Sequence, residues 1–135
     1  MERKKKIVDA LIIFKLFANE EDSDEAIKLR AKHINEEIII VVPELIFVET
    51  LNASRYKKLE KDIWEKANKD ICNLQLEVIY LDEFLLNKAI ENAFENNLSI
   101  YDAIYASLAQ IHGAQLITAD KKLLKIPNAV SLDKI

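Results

Sequence analysis

Short runs of aliphatic and β-branched residues recur along the chain, separated by longer segments whose apolar residues follow helical spacing. The clearest run is 38–42, five β-branched residues without a polar interruption, which is typical of a strand buried on both faces. An earlier run, 6–8, ends directly before Asp9, so the first strand is expected to deliver that side chain to its carboxyl end. Further strands are predicted at 77–81, 115–118 and 129–132.

The segments between these strands predict helices. Asp82 and Ser99 are suited to N-cap positions, and Gly113 is expected to end a helix in the left-handed conformation. Pro43 is expected in the first turn of a helix that runs to about Tyr56. The predicted helices cover 10–18, the segment from an acidic start at 22–25 to Glu37, 43–56, 58–74, 83–96 and the segment from Ser99 to Gly113.

The alternation of strands and helices predicts a mostly parallel sheet with helices on both faces, an α/β fold of the three-layer α/β/α type. The length of 135 residues, without an internal repeat or a linker-like segment, favours a single domain over residues 1–135. Ligands of such sheets collect at the carboxyl ends of the strands. Functional side chains are therefore expected at that edge.

Composition narrows the classes of function. The formal net charge of −4 argues against holding nucleic acid by bulk electrostatics, although local basic patches remain compatible with it. The lone Cys72 excludes an internal disulfide and a cysteine zinc cluster, and we expect it to be a small core residue in a reducing compartment. The basic start lacks a signal-peptide cleavage site and no segment is long enough to span a bilayer, so a cytoplasmic protein is expected.

Three aspartates stand where strands are expected to end or helices to begin: Asp9, Asp102 and Asp120. Each has an ordinary structural explanation, because aspartate commonly caps helices and Asp102 completes a capping-box pattern with Ser99. Glu49 is different, since its neighbours one helical turn away are apolar and offer no cation. A carboxylate on that side of a helix needs a reason to be there.

Taken together, the four acids predict a divalent-metal site. Like charges that converge cost stability unless a cation neutralises them. Carboxylate oxygens, with some positions left to water, suit Mg²⁺ or Mn²⁺ rather than Zn²⁺. Such an ion activates water, orients a phosphate and stabilises the leaving oxygen, so the pattern favours hydrolysis of a phosphodiester.

Four segments resemble, in order, the successive motifs of PIN-domain ribonucleases, most closely those of the small VapC-type toxins. They are IVDA at 7–10, PELIFVE at 43–49, LSIYDAIYA at 98–106 and LITADKK at 116–122. The resemblance spans nearly the whole chain. It implies a PIN-like α/β/α sandwich and an endoribonuclease that needs Mg²⁺ or Mn²⁺. The catalytic and metal-binding residues that it implies are Asp9, Glu49, Asp102 and Asp120.

Further positions follow from the same resemblance or from charge. Thr118 corresponds to a small polar residue near the metal site, and it is a candidate for substrate binding together with Lys15 and Arg55. Leu11 departs from the family, which often has Ser or Asn there, so a hydrogen bond that supports the metal ligands is expected to be missing. Metal-activated attack of water on RNA is expected to leave 5′-phosphate and 3′-hydroxyl ends.

Other side chains are expected to be structural. His33 and His112 have no ligand-like partner at helical spacing, so no chemistry is assigned to them. Trp64 is expected in the core. Asp82 also follows a strand, but we interpret it as an N-cap rather than as a member of the acidic site.

The leading functional hypothesis is the toxin of a VapBC-type pair, held inactive by a small antitoxin and acting as a homodimer, and both partners follow from the resemblance alone. An RNA-processing nuclease without an antitoxin stays open, and so does a module that binds metal or RNA without catalysis, given Leu11. A phosphoacceptor receiver domain is less favoured, because Asp9 has no acidic neighbour and Glu49 inside a helix has no place in that scheme.

Overall fold

A parallel sheet of five strands forms the centre of the computed structural model, which describes residues 3–17 and 23–135. All neighbouring strands run parallel, in the order β3-β2-β1-β4-β5. The strands are β1 (Lys4–Val8), β2 (Ile38–Pro43), β3 (Glu77–Ile79), β4 (Gln115–Ile117) and β5 (Ala129–Val130).

Six helices connect the strands within these described ranges. They are α1 (Ala10–Lys15), α2 (Ser23–Ile34), α3 (Ile46–Tyr56), α4 (Lys61–Asn73), α5 (Glu83–Asn96) and α6 (Ile100–His112), and two short 3-10 turns lie at Leu123–Lys125 and Leu132–Lys134. Because crossovers between parallel strands are right-handed, the helices that lead from β1 to β3 and those that return to β4 lie on opposite faces. The α6 helix packs on β1, β2 and β4, while α2 packs on β2. The expected three-layer α/β/α fold is confirmed.

Both faces of the sheet are covered, as the aliphatic runs predicted. Consecutive strand residues point to opposite faces, yet Ile40, Val41 and Val42 are all fully buried. The same holds for Ile7 and Val8 in β1. The central strands therefore lie between two layers of helices, and a ligand can reach the ends of the strands rather than the faces of the sheet.

Helix caps agree with the sequence, whereas one helix start does not. Asp82 and Ser99 accept hydrogen bonds from the backbone N–H groups of Leu85 and Asp102, and Gly113 ends α6 with φ of 58°. Pro43, however, is the last residue of β2, and α3 begins only at Ile46. The β-branched run keeps pairing with β3 through Pro43, so the chain turns later than a proline at the first helical turn would require.

Two expectations about packing on α4 also change. Cys72 is exposed rather than part of the core, because its neighbour Ile71 takes the buried side of the helix. Trp64 is half-buried, and its indole N–H donates to the Leu59 carbonyl at 3.0 Å.

Ala18 and Asp22, the predicted end and start of the first two helices, lie outside the described residues. Within the described ranges, no helix combines the length and apolar character that crossing a bilayer requires.

Candidate active site

The sheet has a topological switch point between β1 and β4. From β1 the chain leads to β2 on one side, and from β4 it leads to β5 on the other. The diverging connections leave a crevice at the carboxyl ends of these two strands, which is where parallel sheets bind ligands. Asp9 directly follows β1, and Asp120 follows the end of β4. The strand order therefore places these two acids at the crevice.

A cavity of about 560 Å³ opens at this edge, and all four predicted acids line it. Asp9 comes from the junction of β1 and α1, Glu49 from α3, Asp102 from the first turn of α6 and Asp120 from the segment after β4. Segments far apart in the sequence thus contribute carboxylates to one cavity. That these four side chains are catalytic and bind metal stays a prediction.

Asp9 is the most buried of the four acids, with 5% of its surface exposed. Its Oδ1 accepts the backbone N–H of Ile12 at 3.1 Å and so caps α1, while its Oδ2 accepts the hydroxyl of Thr118. Burial raises the pKa of Asp9 to about 6, and the charges of Asp102 and Asp120 push it in the same direction against both hydrogen bonds. The capping role and the place in the cavity therefore coexist in one side chain.

Thr118 orients Asp9 and does not reach the cavity. Its side chain is fully buried; its hydroxyl accepts the backbone N–H of Asp120 at 3.0 Å and donates its single proton to Asp9. The expectation that Thr118 contacts substrate is corrected on this ground. Leu11 lines the cavity with an apolar side chain, while Asp9 receives its hydrogen bonds from Ile12 and Thr118 instead.

Glu49 is held by a tyrosine that the sequence alone did not single out. The hydroxyl of Tyr105 donates to Oε1 of Glu49 at 2.6 Å. Burial raises the pKa of Glu49, the Tyr105 hydrogen bond lowers it, and the charges of Asp9 and Asp102 raise it further. Tyr105 comes three residues after Asp102 on α6, and that spacing placed it on the same side of the helix.

Asp102 and Asp120 complete the acidic group, and each is half-buried. Burial and then the charge of Asp120 raise the pKa of Asp102, while the Ser99 hydrogen bond and the charge of Lys122 lower it. Asp120 uses Oδ1 to accept the backbone N–H groups of Lys122 and Leu123, at 2.8 and 3.1 Å. Like Asp9, Asp120 therefore combines a local backbone cap with a position in the cavity.

Basic residues border the cavity, though not the full predicted set. Lys15 lines it, and a contact of Lys15 with substrate phosphate stays a prediction. Arg55 is exposed and does not line it, whereas Lys57 does. Two residues along a helix change direction by roughly 200°, so the two cations at the end of α3 point to different sides. At the end of α3 the cation that lines the cavity is therefore Lys57 and not Arg55.

The donor set of the cavity suits a hard divalent cation. All four side chains offer carboxylate oxygens. Burial, and after it the charges of the neighbouring acids, raise the pKa values of Asp9, Glu49 and Asp102. Ion pairs between described residues do not involve these acids. Among residues 3–17 and 23–135, no three acidic, histidine or cysteine side chains already form a metal cluster. The four acids therefore line one cavity without already converging on a single point.

Comparison with known proteins finds a family model, a protein and solved structures that are similar to this chain. A family model described as PIN domain matches residues 6–129. Exonuclease VapC9 of Pyrobaculum aerophilum is 28% identical over 131 residues, which cover 96% of this chain and 91% of that protein. The crystal structure of PAE2754 from Pyrobaculum aerophilum superposes with a TM-score of 0.72 at 27% identity, covering 96% and 90% of the two chains. A toxin-antitoxin complex from Klebsiella pneumoniae superposes with a TM-score of 0.71 at 18% identity, covering 96% of this chain and 99% of that chain. This is a likeness of fold alone.

Proposed function

This chain belongs to the PIN domain family, and from that premise we propose that it is a divalent-metal-dependent ribonuclease of the VapC type. The observation that carries the proposal is the cavity at the switch point of the sheet, which Asp9, Glu49, Asp102 and Asp120 all line. The name of the relative from Pyrobaculum aerophilum supports a nuclease. We further propose that residues 1–135 form a single domain.

The four acids would hold a Mg²⁺ or Mn²⁺ ion. Bound there, the ion would supply an activated water and neutralise charge that develops on the phosphodiester. Thr118 and Ile12 fix the carboxylate of Asp9, so its orientation is set before any ligand arrives. Lys15 and Lys57 place positive charge at the border of the cavity, where flanking phosphates of an RNA strand would lie.

The direct test is RNA cleavage by purified protein with Mg²⁺ or Mn²⁺. We expect Asp9→Asn and Asp102→Asn to abolish metal-stimulated cleavage while circular dichroism shows an intact fold. Asp82→Asn is the matched control: Asp82 also follows a strand and caps a helix, with Leu85 N–H at 2.8 Å, but does not line the cavity. Undiminished cleavage by both variants in the cavity would overturn the proposal.

The mode of cleavage needs a separate substrate. The resemblance to VapC-type toxins leads us to propose internal cleavage, whereas the similarity to Exonuclease VapC9 makes an exonuclease the second candidate. A circular RNA has no ends, so only an endonuclease opens it. Conversion of circular to linear RNA supports the first candidate, and degradation restricted to linear RNA supports the second. The 5′-phosphate and 3′-hydroxyl ends of the products can be mapped in the same reactions.

We propose a small antitoxin and a second copy of the chain as partners. Support for the antitoxin comes from fold neighbours that are toxin-antitoxin complexes. Co-expression with the adjacent open reading frame should relieve growth arrest and yield a co-purifying complex, and light scattering should give a dimer mass for the nuclease alone. Growth that is unaffected by the nuclease would favour an RNA-processing enzyme without an antitoxin.

A further inference from the structure

The cavity with the four acids also has an apolar wall that the metal chemistry does not use. The wall comes from α1 and from the last turns of α3, two helices that pack against each other. Leu11 and Phe14 belong to the first helix, and Asn52, Ala53 and Tyr56 to the second. One cavity therefore joins a carboxylate centre to an aromatic and aliphatic surface.

One stripe of α3 connects the two parts of the cavity. Glu49, Ala53 and Tyr56 follow one another at spacings of four and three residues, so they share a side of the helix. A neighbouring stripe, turned by about 100°, carries Thr50 and Ser54, which are fully buried. Seven residues of helix separate Glu49 from Tyr56, which is about 10 Å along the axis. A group bound at Tyr56 would thus be adjacent to, and distinct from, a phosphate bound at the acids.

Two large side chains of the wall are open to solvent. Tyr56 is 85% exposed and Leu11 is 50% exposed. Exposure alone does not mark a binding site, since Tyr80 is 72% exposed outside this cavity. Tyr56 and Leu11 differ from it because both line the cavity that holds the acids. An apolar group that entered beside the acids would bury surface on both of them.

We propose that this wall is a nucleobase subsite for the nucleotide next to the scissile phosphate, and it rests on the proposed function of the acids. The ring of Tyr56 stacks on one face of the base, and Leu11 packs against the base. The amide of Asn52 offers both a donor and an acceptor to the polar edge of the base. With a net charge of −4, the chain has little bulk electrostatic attraction for RNA, so stacking supplies affinity that charge does not.

The kinetic test uses Tyr56→Ala and Tyr56→Phe with single-stranded RNA and saturating Mn²⁺. We expect Tyr56→Ala to raise KM about 5- to 160-fold, the range of one base–aromatic stack, with a smaller change in kcat. Tyr56→Phe keeps the ring and should recover most of the loss. Tyr80→Ala, which removes another exposed tyrosine outside the cavity, should leave KM unchanged. A wild-type KM for Tyr56→Ala in active protein would overturn the subsite while leaving the nuclease proposal intact.

A second measurement does not depend on catalysis or metal. Uncharged nucleosides lack a phosphate, so the acids do not repel them, and they report on the wall alone. Titrated into metal-free protein, adenosine or uridine should shift the NMR signals of the Leu11 methyl groups and the Tyr56 ring together. The Leu11 shifts should disappear in Tyr56→Ala.

The outcomes of the two experiments separate the subsite from the nuclease. Nucleoside shifts without any RNA cleavage would support base binding at the wall and overturn the nuclease. Cleavage without nucleoside shifts, and with a normal KM for Tyr56→Ala, would support the nuclease and overturn the subsite. If Leu11 responds to a hydrophobic peptide and not to nucleosides, the wall receives a protein partner and the proposal is wrong.

Discussion

Tyr105 and Glu49 are joined by a 2.6 Å hydrogen bond that links α6 to α3 at the acidic cavity. The tyrosine is 2% exposed, and burial together with the charge of Glu49 raises its pKa, so its hydroxyl stays protonated and acts as a donor. One lone pair of Glu49 is thereby occupied by the protein itself. The direction in which the other carboxylate oxygen of Glu49 points is therefore set by Tyr105, which lies 56 positions away in the sequence.

Tyr105→Phe tests this relationship with little change in volume. Without the hydroxyl, Glu49 loses the donor that holds it, so we expect Mn²⁺ affinity and cleavage to fall by roughly 10- to 100-fold. Calorimetric titration of Mn²⁺ measures the affinity directly, and thermal unfolding verifies that the variant folds. A Mn²⁺ affinity equal to that of the wild type would show that Tyr105 does not position Glu49.

Thr118 offers a second test, because two variants separate its hydroxyl from its shape. Thr118→Val keeps the shape but leaves Oδ2 of buried Asp9 and the Asp120 backbone N–H each without the partner that Thr118 provides. We expect this change to lower the free energy of unfolding by about 1–3 kcal/mol and to weaken metal binding. Thr118→Ser retains the hydroxyl and should stay close to the wild type in metal affinity. Equal metal affinity in both variants would contradict the orienting role.

The raised pKa of Asp9 predicts an unusual dependence of stability on pH in metal-free protein. The group titrates at about 6 when folded and at 3.8 as the reference value, so the folded state binds more protons between these values. The free energy of unfolding should therefore fall as pH rises through that window, by up to about 3 kcal/mol from this group. Urea unfolding in EDTA from pH 4 to pH 7 measures this fall in the free energy of unfolding.

Asp9→Asn is the control for that titration, since asparagine has no charge to bury. The difference in stability between variant and wild type should grow as pH rises from about 4 to about 6 in favour of the variant, as the wild-type carboxylate ionises. Mn²⁺ should restore wild-type stability above pH 6 and should not stabilise Asp9→Asn to the same degree. Parallel stability curves for the two proteins would show that Asp9 ionises without cost.

His33 is predicted to matter for stability and not for chemistry. Its Nδ1 accepts the Ile40 N–H at 3.1 Å, so Nε2 carries the proton and donates to the Leu74 carbonyl at 3.0 Å. His33→Leu leaves both buried backbone groups without a partner and should cost about 2–4 kcal/mol. Cleavage at a temperature where the variant is folded should be unchanged. Loss of cleavage in folded protein would reveal a role that the position of His33, near the start of β2, does not predict.

Local patterns in the sequence determined the elements and the residues at their ends. Some features depend only on residues that are neighbours in the sequence, so they can be recognised before the fold is known. They are the β-branched runs, the caps at Asp82 and Ser99 and the left-handed Gly113. The position of Asp9 directly after a strand belongs to the same class. Even at this level Pro43 was misassigned, because the pairing of β2 with β3 extends the strand beyond its local signal.

Only the tertiary structure decided which of these residues meet. The hydrogen bond from Tyr105 to Glu49 spans 56 positions and that from Thr118 to Asp9 spans 109, so no local pattern contains either. The rotation of α3 placed Lys57 rather than Arg55 at the cavity. Short-range chemistry shapes each element, but the order of strands and the rotation of helices depend on packing between distant segments, which is what brings four like charges to one edge of the sheet.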